Sequence, residues 1–175
     1  MIAVRLYTPE DLPRLYELEC ACFSPPIRWD KKDFAPALAA SDVWVAESSD
    51  QTCDQCRGTG KGWESEVCRL CNGGGMRRGP ETRIIGFLSA NVERRQGHIM
   101  TINVDPEHRG HGVASKLVIA AEDEYRKRKF AEMRLEVEQN NPAQTLYFKM
   151  GYRVTSVRKG WYEDGTTCLY MIKKL

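Results

Sequence analysis

The chain has 175 residues, 42% of them hydrophobic and 29% charged, with a formal net charge of +2. That length suits one domain with a real core, and so small a net charge gives no bulk electrostatic case for a nucleic-acid partner. No apolar run approaches a membrane span and the first residues lack a basic-then-apolar leader, so a cytoplasmic protein without membrane contact is expected.

Along the chain, "IAVRLYT" alternates and predicts a strand over residues 2–6. Thr8, Pro9 and Asp11 then read as a capped helix start, and Leu12, Leu15, Leu18 and Cys22 form an apolar stripe that ends near Phe23. After "SPP" a short helix is expected over 30–40, burying Phe34, Ala37 and Leu38, followed by the strand "DVWVAES". Periodicity lapses from 49 to 81 and returns at "RIIGFLSANVE" and "HIMTINV", two strands expected to pair antiparallel around a tight turn near Gln96 and Gly97. A helix from near Gly112 to Lys129 buries Ala114, Leu117, Val118, Ala121 and Tyr125. "EMRLEVE" is the fifth strand, and "PAQTLYFKM" is a short helix stopped by Gly151. "YRVTSVRKGWY" and "TTCLYMIKKL" close the chain as a hairpin around "EDG". The order predicts an α/β fold: a mixed, mostly antiparallel sheet of about seven strands with helices on both faces, one domain over 1–175.

Residues 49–81 need a different source of stability. Cys53-x-x-Cys56-x-Gly58-x-Gly60 recurs as Cys68-x-x-Cys71-x-Gly73-x-Gly75. Each CxxC turn points two sulfurs at one ion, and the glycines let backbone N–H groups approach the thiolates. Four thiolates suit one structural zinc per chain, which would supply the folding free energy that side chains cannot. Seven cysteines in this pattern argue for a metal site in a reducing compartment rather than a disulfide framework. An iron–sulfur cluster or a redox pair suits the repeated G-x-G less well. The repeat resembles half of the cysteine-rich domain of DnaJ-type chaperones. Arg57, Lys61, Trp63, Arg69, Arg77 and Arg78 give this zinc-stapled insertion, set between the second and third strands, a basic, partly aromatic surface, open to an acceptor protein, an RNA, a second subunit or no partner at all.

At "VDPEHRGHGVASKL" the chain passes from strand to glycine-rich turn to helix. Gly110 and Gly112 allow a tight turn with outward N–H groups, and the helix adds its positive end, as a phosphate site requires. Neither the dinucleotide fingerprint nor a P-loop fits these residues. Arg109 to Ala114 match the R/Q-x-x-G-x-G/A signature of the GCN5-related N-acetyltransferases (GNAT), which this chain resembles. The resemblance implies acetyl-coenzyme A as cosubstrate. The implied contacts are Ile102 and Val104 on the strand, then Arg109, Gly110, His111, Gly112, Val113, Ala114 and Ser115 around the phosphates. Asn140, Ala143, Leu146, Tyr147, Gly151 and Tyr152 match the family's second cofactor motif, in the version of ribosomal-protein alanine and protein N-terminal acetyltransferases. "ECACFSPPIRW" and "GWYEDGTTCLYM" resemble the loops that line the peptide groove there.

Amide formation from a thioester requires a proton to leave the amine and another to reach the thiolate. The resemblance assigns Tyr147 as the acid and Asn140 and Tyr147 as cofactor contacts. In "RLEVE" Glu136 and Glu138 share one face, and Glu136 matches the glutamate base of the alanine acetyltransferases. Glu136 to Tyr147 is one residue shorter than in that pattern, so Glu138 or a relayed water remain alternatives. His111 is expected to face cofactor or solvent, and His98 and His108 to be surface residues. The implied acceptor is a protein or peptide N-terminal amine. A small amine such as a polyamine would favour an acidic pocket, with Glu17, Glu19 and Asp30 as contributors. A non-catalytic, zinc-carrying adaptor is the other alternative. Oligomeric state is open.

Overall fold

The structure, a computed structural model, describes residues 2–25, 28–53, 55–61, 66–162 and 164–175. Seven strands, β1 (Ala3–Leu6), β2 (Asp42–Thr52), β3 (Met76–Glu93), β4 (Gln96–Val104), β5 (Glu132–Glu138), β6 (Arg153–Arg158) and β7 (Cys168–Lys174), form one sheet in the order β1-β2-β3-β4-β5-β7-β6. Every neighbouring pair is antiparallel except β4 and β5. Their parallel pairing needs a crossover, which the helix α3 (Val113–Lys127) supplies.

Alternation along β2 sends side chains to two cores. Trp44 and Ala46 join Leu117, Val118, Ala121 and Tyr125 of α3 on one face, with Leu135 and Val137 of β5 and Tyr147 of α4 (Gln144–Lys149). Val43, Val45 and Phe87 meet Leu15 and Leu18 of α1 (Leu12–Cys22) and Phe34 and Leu38 of α2 (Lys31–Ala39) on the other. The second core covers only the β2–β3 side of the sheet. Beyond it, β5 turns Arg134, Glu136 and Glu138 to the same face, because Leu135 and Val137 occupy the opposite one.

Three local expectations change. The turn between β3 and β4 lies at Arg94 and Arg95, both left-handed with φ of 48° and 65°, and not at Gln96 and Gly97, which are the first two residues of β4. A two-residue hairpin turn of this hand usually carries Asn or Gly, so two arginines gave no signal of it. Gly97 has a different duty: an added Cβ would stand 2.3 Å from the Tyr125 ring. Second, β2 and β3 run on past residues 49 and 81, pairing Asp50 with Arg78 and Thr52 with Met76 beyond a bulge, so the cysteine-bearing connection is only 53–75. Third, His108 is buried, not exposed. The "EDG" turn includes Glu163 and the "SPP" break includes Pro26; both residues lie outside those described, as does Trp63. Among the described residues no helix is long and apolar enough to cross a membrane.

Tyr125 cannot retreat from a larger residue at position 97, because it is fully buried and its hydroxyl donates to Asp42 Oδ2 at 3.0 Å. Gly97→Ala is therefore expected to lower stability by about 1–3 kcal/mol through overpacking, read as a lower urea midpoint with an unchanged m-value.

Candidate active site and the four-cysteine knuckle

β4 and β5 pair from Gln96↔Glu132 to Ile99↔Leu135 and then part. β4 continues against β3 as far as Val104↔Gly86, and β5 against β7 as far as Glu138↔Cys168. The parting has a local cause. Ala90 pairs with Ile99 and Ser89 with Thr101, so Met100 is an extra residue on β4, and such a bulge bends its strand. A wedge-shaped opening follows, flanked by Ile102 and Val104 on one side and by Glu136 and Glu138 on the other. Ile102 and Val104 pack towards the α3 core, and the Val104 carbonyl accepts from Arg109 Nε at 3.3 Å.

The phosphate-type loop closes one end of this opening. Gly110 and Gly112 have φ of 77° and 80°, and a Cβ added at either would meet nothing within 4 Å. Glycine is needed there for conformation and not for space. Gly112 caps α3, whose first intrahelical amide bond is Lys116 N–H to the Gly112 carbonyl. The amides of Val113, Ala114 and Ser115 are thus the open, positive end of a 15-residue helix. His111 is exposed and donates from Nδ1 to the Arg109 carbonyl at 2.9 Å, consistent with a place on the loop rather than at the chemistry.

On the open polar face, Glu136 is the first β5 residue past the parting, and its carboxylate hydrogen-bonds His98 Nε2 from β4. Burial works against ionisation of Glu136, but the bond and charge of His98, with Arg134 and Arg158 beyond, outweigh it and hold the carboxyl below its usual range. His98, expected at the surface, is therefore a partner of the candidate base; the signal lay in the β4–β5 register, which composition does not reveal. Glu138 lies one pleat further on, level with Cys168. Tyr162 is a second residue that the sequence did not single out. Burial, Cys168 and the charges of Glu136 and Glu138 raise its phenol and keep it protonated.

Tyr147 approaches from the opposite side. It is 4% exposed, packs edge-on against Tyr152 with ring centroids 5.7 Å apart, and is pushed up to about 12 by burial alone. A phenol in that state holds its proton until a stronger base is created beside it. Asn140 is exposed in the turn after β5, and its neighbour Asn141 instead braces the entry to α4 by accepting from Ala143 N–H at 2.9 Å.

The α1–α2 side contributes an anchor and a cleft. Glu19 is fully buried; its carboxylate accepts from Trp29 N–H and Asn103 Nδ2, each at 3.1 Å, tying the connection after α1 to β4. Burial raises its pKa. A cleft of about 250 Å³ lies beside it, lined by Trp29, Phe34, Leu38, Ser89, Asn91 and Met100 among others. Glu17 pairs with Arg14 on the surface, and Glu19 is committed to Trp29 and Asn103, so these two acids do not assemble an acidic pocket.

The four cysteines come together. Their sulfurs all lie within 4.8 Å of one another, with Cys53–Cys68 at 3.8 Å and Cys56–Cys71 at 3.6 Å. Sulfurs bound tetrahedrally to zinc at about 2.3 Å stand about 3.8 Å apart, whereas a disulfide requires about 2.05 Å. The repeat folds with approximate two-fold symmetry. Cys53 N–H donates to the Gly75 carbonyl and Cys68 N–H to the Gly60 carbonyl, both at 2.9 Å. A Cβ on Gly60 would strike Gly73 O at 2.1 Å, and one on Gly75 would strike Gly58 O at 2.3 Å, which explains the glycines. Burial opposes ionisation of Cys56, yet the Gly60 amide and the neighbouring sulfurs bring its thiol down, while burial and Cys56 push Cys71 up.

The model of the acetyltransferase (GNAT) family matches residues 12–152. An uncharacterized N-acetyltransferase of Methanocaldococcus jannaschii is 33% identical over 94 residues, covering 53% of this chain and 60% of that one. The N-alpha-acetyltransferase of Saccharolobus solfataricus is 36% identical over 109 residues, covering 54% and 65%. The alignments thus span less than two thirds of those relatives. Among solved structures, the ribosomal-protein-S18-alanine N-acetyltransferase from Escherichia coli superposes with a TM-score of 0.71 at 21% identity, covering 99% of this chain and 94% of that one.

The His98–Glu136 pair makes a direct prediction. In His98→Ala the Glu136 carboxyl should titrate at higher pH than in the wild type, as followed by carbon-13 NMR. A depressed carboxyl pKa stabilises the fold above the ordinary glutamate value and loses that contribution as pH falls through the lowered one. The urea midpoints of the two proteins should therefore differ at neutral pH and converge in acid.

Proposed function

The chain belongs to the acetyltransferase (GNAT) family, and on that premise we propose that it transfers acetyl from acetyl-coenzyme A to a protein N-terminal α-amine by direct attack. One observation carries the reading: the strands part at the Met100 bulge, and the first residue past the parting is a carboxylate already bonded to a histidine. Acetyl-coenzyme A would supply the thioester carbonyl. The open amides of the Arg109–Ser115 loop and α3 suit its pyrophosphate, and the unpaired edge of β4 at Ile102 and Val104 suits an extended amide-bearing arm.

In this reading Glu136, held ionised by His98, takes a proton from the attacking amine, and His98 provides a path for it towards solvent. Tyr147, kept protonated by burial, donates to the sulfur as the C–S bond breaks, and the proton it passes to the thiolate is replaced from solvent after the products leave. The acceptor would approach over the polar face of β5 and β7, between the connection after α1 and the segment around Tyr162. The alignment with the N-alpha-acetyltransferase and the superposition on the alanine acetyltransferase favour a peptide there. The commitment of Glu19 to Trp29 and Asn103 counts against a polyamine site. We also assign one structural zinc to Cys53, Cys56, Cys68 and Cys71 within the connection over 53–75, in keeping with a reducing, cytosolic setting.

Peptides with different first residues, incubated with acetyl-coenzyme A and analysed by mass spectrometry, should gain 1 acetyl at the α-amine; label confined to internal lysines or free small amines would overturn the substrate assignment. Tyr147→Phe keeps the packed ring, so acetyl-coenzyme A affinity should hold within about twofold while kcat falls about a hundredfold. Glu136→Gln should lower kcat/KM by about ten- to a hundredfold, most strongly at low pH where more of the amine is protonated.

A further inference from the structure

The cysteine knuckle touches the cofactor loop through its own strand. β2 ends at Thr52, immediately before Cys53, and β3 begins at Met76, immediately after Gly75. The knuckle therefore clamps the far ends of these two strands, and Cys53 N–H to Gly75 O is the next rung beyond Thr52↔Met76. This stretch of the hairpin is separated from the main sheet by the bulge at 48–50, so the sheet alone fixes it weakly.

That same stretch holds the segment leading into the phosphate-type loop. His108, only 2% exposed, donates from Nε2 to the Asp50 carbonyl at 2.8 Å. Glu107 accepts from the Thr52 hydroxyl at 3.3 Å and pairs with Arg83 at 3.5 Å. The next residues are Arg109 and the two left-handed glycines of the loop. From Cys53 to Gly110 the path is short: one residue to Thr52, a hydrogen bond to Glu107, a second from Asp50 to His108, then the turn.

We propose that the knuckle is a metal-dependent brace for the cofactor loop, so that occupancy of the four-thiolate site sets affinity for the pyrophosphate of acetyl-coenzyme A. The physical reason is preorganisation. Outward amides bind an anion well only if the turn is held in its binding shape beforehand, and glycines hold no shape by themselves. With the metal bound, Asp50 and Thr52 are fixed and anchor His108 and Glu107. Without it, nothing bridges the four sulfurs, the strand ends loosen, and the cost of ordering the loop falls on the cofactor. The site is closed by four sulfurs, so the ion acts through this path and takes no part in acetyl transfer. The inference rests on the cofactor and zinc assignments above.

The test uses the full chain, loaded with zinc or stripped by a chelator under reducing conditions, with metal content measured and the main fold followed by circular dichroism. Calorimetry should show acetyl-coenzyme A binding about tenfold weaker in the stripped protein, restored by added zinc. S-acetylpantetheine, which lacks the pyrophosphate, should be used as donor with the same kcat/KM in both forms. In His108→Leu, zinc should no longer alter acetyl-coenzyme A affinity, whereas His108→Gln, which keeps an N–H donor, should retain the dependence. Thr52→Val, at a half-exposed position, should give a smaller loss of the same sign even if the His108 variants fail to fold.

Equal affinity with and without zinc, an equal loss for S-acetylpantetheine, or a failure of the chain to bind zinc would each overturn the brace. A zinc-loaded protein that does not bind acetyl-coenzyme A at all would instead overturn the functional reading, and the brace with it.

Discussion

In this otherwise antiparallel sheet the single parallel pairing, β4 with β5, stops after four rungs, and the molecule is arranged around that stop. Strand edges carry N–H and C=O groups that must find partners. β4 keeps β3 on one edge and β5 keeps β7, so neither strand frays when they part. The edges that face each other across the opening have no strand partner among the described residues, and at its end the Val104 carbonyl accepts from Arg109 Nε and Cys22 Sγ instead. The Met100 bulge sets where this begins, and α3, which must cross the sheet to make the parallel connection, delivers its N-terminus to the same end. Opening, loop and helix dipole are three consequences of one connection.

The unequal covering of the two faces follows from the same geometry. α3 and α4 seal one side with a continuous core from Trp44 to Met171. On the other, α1 and α2 pack on β2 and β3, and α1 reaches β4, where buried Glu19 accepts from Asn103 and Cys22 meets the Val104 carbonyl. Glu19 is costly to bury as an anion, and burial raises its pKa, but its bonds to Trp29 and Asn103 fix the helix connection against the strand. The remaining face, with His98, Arg134, Glu136 and Tyr170, stays polar and uncovered. His98 and Glu136 therefore sit half-buried, shielded enough to interact strongly and still open to solvent.

Much of this was legible in the chain. The helical stripes of Leu15 and Leu18, and of Leu117, Val118 and Ala121, are local patterns, and they became the buried faces of α1 and α3. Glycines whose duty is conformational, such as Gly110 and Gly112, also announce themselves by spacing. What escaped was set by register. His98 meets Glu136 only because β4 and β5 pair with Gln96 level with Glu132, a choice made by the crossover and not by either strand. The continuation of β2 and β3 to the knuckle escaped for a related reason: "SSDQT" and "MRRGPE" have no apolar alternation, since these strands are stabilised by each other and by what lies at their tip. The burial of His108 escaped with them, because the strand that covers it was not foreseen.

The knuckle's symmetry bears on how rigid such a tip can be. Its two halves exchange amide bonds reciprocally and stack glycine on carbonyl so closely that no side chain fits between them. Each half is thus the other's scaffold; among the described residues there is very little apolar surface inside to hold it, and the exposed Val67 and Leu70 add none. A unit of that kind has two states, assembled or loose, with few graded positions between, because losing one sulfur-bearing half removes the support of the other. Joined directly to strand ends, without a flexible spacer, it passes that all-or-none character to Asp50 and Thr52. A long insertion on a flexible tether would leave the sheet indifferent to it; one that begins on the residue after a paired strand does not.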